Sequence, residues 1–222
     1  GRPNRTEDGA LVPGVSLLGL QARSRAWRSC PETCFVMVML TIPGLVRLFP
    51  NIGPDSAGVL LDLAALTGDA VAQSLGQGVA REPRRIASFL DAWLMSRVNS
   101  LHPSLDDERI AVAHSVLSHG GTVAAAAEAI AFNRRRLHRL FHRHLGVGPK
   151  DVADLERLHF SLRSVQTGRG EPVQGFSDQA HQIRSWQRRL GVTPGAYARA
   201  VRTPLASAFD GEGHATGVAY YL

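Results

Sequence analysis

With 222 residues, 44% hydrophobic and 20% charged, the chain has the composition of an ordinary soluble globular protein, long enough for one large domain or two small ones. Its longest apolar run, Cys34–Val46, contains Thr41 and Pro43 and is too short to cross a bilayer; no export signal opens the chain, so no membrane partner and a cytoplasmic location are expected. The net charge of +6 is unevenly spread: residues 1–111 balance eleven arginines against eleven acids, whereas residues 112–203 carry thirteen arginines and Lys150 against six acids, a block that suits a polyanion.

The chain opens on Gly1 rather than methionine, so the N-terminal region is expected to be incomplete. Leu11–Leu20 is expected to hold a short strand, and the β-branched run Cys34–Ile42 a buried one. Cys30 and Cys34 lack a second ligand pair at zinc spacing and are read as small hydrophobes. After Pro43 the pattern turns helical. Gly44–Phe49 predicts about one turn, followed by helices over Asp55–Leu66, Asp69–Leu75 and Glu82–Val98. The last of these aligns Ile86, Phe89, Leu90, Trp93, Leu94 and Val98 on one face. Asn99–Pro103 is read as a linker between an N-terminal region, 1–99, and a domain spanning 104–203, with an irregular tail over 204–222.

Ser104 opens the next helix with Asp106, Asp107 and Glu108 at its positive end. Ile110, Val112, Ala113, Val116 and Leu117 form its expected apolar face, and Gly120-Gly121 ends it. Thr122 then caps the Ala-rich helix Val123–Ile130.

An internal repeat follows. Residues 139–149 (RLFHRHLGVGP) and 184–194 (RSWQRRLGVTP) match at six of eleven positions at an offset of 45, with Phe141 opposite Trp186. In each copy a polar cap, Asn133 or Ser177, starts a helix that ends at Gly146 or Gly191, and a proline beyond forbids continuation. Leu137, Leu140, Phe141 and Leu145 define the buried stripe of the first copy. Its opposite face presents Arg134, Arg135, His138, Arg139 and His142. Between Asn133 and Leu145 there are five arginines, three histidines and no acid, a self-repelling helix unless a polyanion lies near. Arginine is also the side chain best shaped for bidentate bonds to guanine or phosphate. In a helix-turn-helix the Ala-rich helix crosses the DNA backbone while the helix after Asn133 enters the major groove. Asp151–Val165, with Val152, Leu155, Leu158, Leu162 and Val165 on one face, is a strut that could set two such units about 34 Å apart.

The runs AAEAIAFNRRRLHRLFHRHLGVGPKDV and GFSDQAHQIRSWQRRLGVTPGAYAR resemble the two DNA-binding units of AraC/XylS-type regulators, over roughly residues 104–203. Residues 10–98 resemble the tail of the N-terminal sensor region in some such regulators. The resemblance implies a bilobed, all-α double helix-turn-helix reader behind a small mixed α/β N-terminal region, mainly α as a whole. It implies double-stranded DNA as partner, and an N-terminal region that senses a small-molecule effector, binds a second copy, or both. It also implies that Arg135, His138 and Arg139 face base edges and Arg134 a phosphate, with Gln179, Ala180, Ile183 and Arg184 in the groove and Ser177 as cap in the second unit.

Three positions depart from the pattern. Ala131 stands where the turn usually has glycine, and a left-handed alanine costs on the order of 1 kcal/mol. Gln182 replaces a buried aromatic, so the second core is expected to be underfilled. Gly168–Gln174 (GRGEPVQ), with Pro172 and two glycines, is hard to build as the short helix a full second unit needs.

No catalytic constellation, phosphate loop or cofactor motif is present, so an enzyme is not expected. His138 and His142 share a helical face but lack a third ligand, with His144 pointing elsewhere, so no metal is expected. Trp27, Trp93 and Trp186 are read as core or near-core. The expected function is a bacterial-type transcriptional regulator reading two adjacent major-groove segments. The alternative is a degenerate paralogue that serves as an interaction module, with RNA polymerase or another regulator as partner.

Overall fold

The computed structural model describes residues 5–6, 9, 11–24, 27–28, 36–50, 52–81 and 85–199. Cys30, Cys34, the Trp27 side chain and the tail over 204–222 lie outside this description. The protein is mainly helical, with two small antiparallel pairings near its N-terminus. β1 (Arg5–Thr6) pairs with β3 (Trp27–Arg28), and β2 (Ser16–Leu18) with β4 (Leu60–Asp62) in the register Leu17 opposite Leu61. The helices are α1 (Ile42–Leu48), α2 (Leu63–Thr67), α3 (Asp69–Arg81), α4 (Ile86–Ser100), α5 (Leu105–Ser118), α6 (Val123–Glu128), α7 (Arg134–Leu145), α8 (Pro149–Thr167), α9 (Gln179–Leu190) and α10 (Pro194–Arg199). Two compact units form: Gly1–Gln21 with Arg25–Val152, and Ala22–Ser24 with Ala153–Leu222.

Three expectations for the N-terminal region need correction. The run from residue 36 is not a buried strand: Val36–Met39 are exposed, and no described strand pairs with them. A lone extended segment leaves its backbone groups to water. Ile42 instead begins α1, because Thr41 Oγ1 accepts the Gly44 N–H at 3.1 Å and Pro43 sits in the first turn, where its missing N–H costs nothing. Asp55–Leu66 is not one helix either. Pro54–Ser56 forms a single 3-10 turn and Gly58 takes φ 70°, after which Leu60–Asp62 pairs with β2 and only then α2 starts, capped by Asp62. Finally, the apolar stripe of α4 is no core face. None of its residues is fully buried, and Phe89 is 38% exposed. Phe89 and Trp93 flank an open cleft of about 230 Å³ with Ala70, Val71, Ser74 and Leu75 of α3. Apart from the Ser74 hydroxyl and the Trp93 indole N–H its lining side chains are apolar, so it lacks the convergent polar groups of a ligand site.

In the first unit α1 carries the buried Ile42, Leu45, Val46 and Leu48. Two arginines bind its surroundings together. Arg47 donates to the carbonyls of Val98, at 3.0 Å, and Leu101, and lies 3.9 Å from Asp107. Arg97 donates to Leu48 O at 2.7 Å and stacks over Phe49. Residues 99–104 therefore sit inside the compact unit, and α4 runs through Asn99 to Ser100. α5 opens with a capping box: Ser104 Oγ accepts from Asp107 N while Asp107 Oδ2 accepts from Ser104 N. Its inward residues are Ile110, Ala113 and Leu117. Val112, expected among them, is 46% exposed, because at about 100° per residue it lies some 160° around the helix from Ile110.

The second unit is built on α8. Its expected stripe continues as Leu155, Leu158 and Leu162, all buried, and Leu158 and Leu162 enclose Trp186 with Val165, Leu190 and Tyr197 around them.

Candidate nucleic-acid interface

The turn before α7 is a Schellman closure of the Ala-rich helix. Phe132 N–H bonds Ala127 O and Ala131 N–H bonds Glu128 O, both at 2.9 Å. That closure requires a left-handed residue, and Ala131 supplies it at φ 54°, the sole non-glycine with positive φ among the described residues. Phe132 then lies between two guanidinium groups, Arg136 at 3.9 Å and Arg109 at 4.9 Å from its ring centroid. Asn133 caps α7, its Oδ1 accepting from Arg136 N at 2.8 Å. At the other end Gly146 is left-handed at φ 70°, and its N–H bonds His142 O at 3.0 Å. Only glycine fits: a Cβ there would stand 2.3 Å from Pro54 O.

α7 buries Leu137, Leu140, Phe141 and Leu145, the stripe the sequence predicts. Its charges separate by direction. Asp106 of α5 draws in His144 Nε2 at 3.3 Å and Arg143 at 4.0 Å, while Arg109 holds its other oxygen at 3.2 Å. Arg136 is occupied by Phe132. What remains outward is Arg134, Arg135, His138, Arg139 and His142, all exposed. At about 100° per residue, Arg135, His138, Arg139 and His142 fall within an arc of about 100°, on the other side of the helix from Leu137 and Leu140. No described acid pairs with Arg134, Arg135 or Arg139. The His138 and His142 rings stack at 6.1 Å. His138 Nε2 leans toward Gly148, where a Cβ would come within 3.0 Å of it. Among the described residues no group of three metal-ligating side chains forms.

α9 has the same length and the same frame at an offset of 45, with one correction. Its cap is Asp178, not Ser177: Asp178 Oδ1 accepts from His181 N at 2.6 Å. That backbone bond, with Ser177 Oγ and the charge of Arg184 adding to it, holds the Asp178 carboxyl below the usual carboxylate range. Ser177 has no counterpart in the first copy, where Phe132 leads directly to the cap Asn133, whereas Ser177 separates Phe176 from Asp178; its Oγ bonds Asp178 Oδ2 and faces His181 Nδ1, both at 3.2 Å. It stands before the helix, off the outward face. Gly191, at φ 73°, closes α9 as Gly146 closes α7. Gln179, Ala180 and Arg184 are exposed and Ile183 is half-buried. They occupy the positions of Arg134, Arg135, Arg139 and His138. Gln187, exposed at the position of His142, also belongs to this face. The fixed offset points to it, although it was not among the expected site residues.

The inward positions of the two helices correspond, but their chemistry does not. Where α7 places Leu137, Leu140 and His144, α9 buries Gln182, Ser185 and Arg189. The second core is polar rather than underfilled. Gln182 Nε2 donates to Ser161 Oγ at 2.9 Å and to Pro172 O at 2.7 Å, and Trp186 Nε1 donates to the same hydroxyl at 2.9 Å. Arg189 reaches Ala22 O at 3.2 Å and Asp154 at 3.8 Å. Tyr197 lies edge-on to Trp186 and accepts from Gln166 Nε2 at 2.6 Å. As expected, no short helix leads into α9: residues 168–178 form turns, closed by Gln174 N–H to Glu171 O and Phe176 N–H to Val173 O. The Gln182 bond to Pro172 O holds this turn segment against α9, where the first unit uses α6.

Comparison with known proteins places these elements. The model of a helix-turn-helix domain family matches residues 126–200, from within α6 through α10. No curated protein and no solved structure matches the chain. The match supports an AraC-like helix-turn-helix domain and a DNA-binding regulator with double-stranded DNA as its partner. No helix among the described residues is long and apolar enough to cross a membrane.

Proposed function

We propose that the chain is a sequence-specific transcriptional regulator of the AraC/XylS kind that reads two adjacent major-groove segments, one through α7 and one through α9. The observation that carries this reading is the outward face of α7, where Arg134, Arg135, His138, Arg139 and His142 are exposed together and the arginines lack acidic partners among the described residues. Unbalanced cations on a rigid helix behind a helix-turn-helix turn are suited to phosphates and to guanine edges. In this reading Arg134 holds a phosphate, while Arg135, His138, Arg139 and His142 meet base edges. Gln179, Ala180, Ile183 and Arg184 do the corresponding work on α9, with Ser177 flanking it through its bond to the cap. Residues 1–99 act as the sensing or dimerising region, taking a small-molecule effector or a second copy, and RNA polymerase is the downstream partner. The chain is a binder and not an enzyme.

The test is a salt titration of binding to random duplex DNA, followed by fluorescence polarisation. Wild type is expected to give a steep log–log slope that flattens by about one in Arg134→Ala, where the phosphate that this residue holds is no longer neutralised. Absent or salt-insensitive binding by the folded wild type would contradict the reading and leave the interaction-module alternative in its place.

A further inference from the structure

The two outward faces share one residue type and differ in the rest. Arg139 and Arg184 occupy the same position, but Arg135 is replaced by Ala180 and His138 by Ile183. The exchange is matched behind the helix. Gly148, against which His138 leans, is replaced by Thr193, whose Oγ1 accepts the Ala196 N–H at 3.1 Å and caps α10. The α7 face is thus rich in donors, and arginine offers no acceptor at all. The α9 face has an apolar step, Ala180 with Ile183, about one turn ahead of Arg184 and Gln187.

Resting on the DNA-reading function proposed above, we infer that the two half-sites are chemically unequal: α7 selects guanine, and α9 selects a thymine through its C5-methyl group beside a guanine read by Arg184. Guanine presents two acceptors, O6 and N7, to the major groove, which a donor-only side chain satisfies in a bidentate manner. The thymine methyl is the only apolar group any base offers there. A base whose amino or carbonyl group faced Ala180 and Ile183 would lose water without gaining a bond, and such a loss is costly. Ile183 fits this role because it is half-buried, which leaves part of its apolar side chain exposed on this face. Gln187, one turn on from Ile183, suits an adenine N6 and N7.

The experiment begins by selecting sites for the intact chain from a random duplex library. Each thymine of a selected site is then replaced by deoxyuridine, which removes only the methyl group, and each guanine by 7-deazaguanine, which removes N7. One thymine is expected to respond, with binding weakened about fourfold, the worth of one buried methyl group. That response disappears in Ile183→Ala. Guanines in the other half-site respond by about tenfold, and Arg135→Ala abolishes the response of one of them. The substitutions on the DNA leave the protein unaltered, so the result does not depend on a variant's folding. Selected sites in which no thymine responds overturn the inference and leave the DNA-reading function standing. A chain that binds no duplex at all removes both.

Discussion

α7 and α9 are twelve-residue helices with the same frame and opposite fillings. Each begins at a side-chain cap, Asn133 or Asp178, buries one aromatic ring, Phe141 or Trp186, and ends at a left-handed glycine. Between those fixed points α7 packs leucines against a neighbouring helix, while α9 packs Gln182, Ser185 and Arg189 against turns, a serine and a carboxylate. The caps, a single large buried ring and the terminal glycine are what the two helices share. The rest of the inward face can be polar provided that each polar group finds a partner.

That comparison can be tested by substitution. The largest expected effect is loss of the ring: Phe141→Ala and Trp186→Ala should each cost about 3–5 kcal/mol of stability, read by denaturant unfolding. Trp186→Ala also removes a donor from Ser161, so hydrogen exchange should rise along α8 as well as α9. A smaller and less intuitive effect is expected when α9 is made to resemble α7. Gln182→Leu should destabilise the second unit by about 1–3 kcal/mol, since it strips the donor from Pro172 O. A stabilised Gln182→Leu protein would mean that the polar core is a flaw rather than a substitute for the missing helix. At the turn before α7, Ala131→Gly should raise stability by about 1 kcal/mol, because it relieves the left-handed φ of 54°.

The smallest effect is a pH dependence confined to the second unit. Burial holds the His159 pKa below its ordinary value, and Arg189 pushes the same way against Glu156. A depressed imidazole pKa favours the neutral ring in the fold. Its contribution is therefore complete above about pH 6.5 and is lost as pH falls from there toward the lowered value. His159→Gln should flatten that acid slope in thermal melts; an unchanged slope would assign it to other groups.

The C-terminal elements were legible in the sequence because their signals are local. Asn133, Gly146 and Gly191 act within one turn, and the stripe Leu137, Leu140, Phe141 and Leu145 follows from helical periodicity alone. The lack of a helix over 168–178 follows from Pro172 and its flanking glycines. Signals that depend on distant partners did not show. Whether Val36–Met39 becomes a strand depends on a partner edge, which the described residues do not provide. The clamp of Asp106 on His144 and Arg143 joins residues almost forty positions apart, and nothing in either segment marks the other. Asp178 displaced Ser177 as cap because both are good caps one residue apart, and only the bond to His181 N decides between them.

Arg139 and Arg184, the one residue type common to both outward faces, give the most direct test of two reading helices in one chain. On a selected operator, Arg139→Ala and Arg184→Ala are each expected to weaken binding about tenfold and to relax base preference at different positions, one in each half-site. If Arg184→Ala leaves affinity and preference unchanged, or if both variants relax the same base, then α9 does not read DNA and the shared frame reflects ancestry alone.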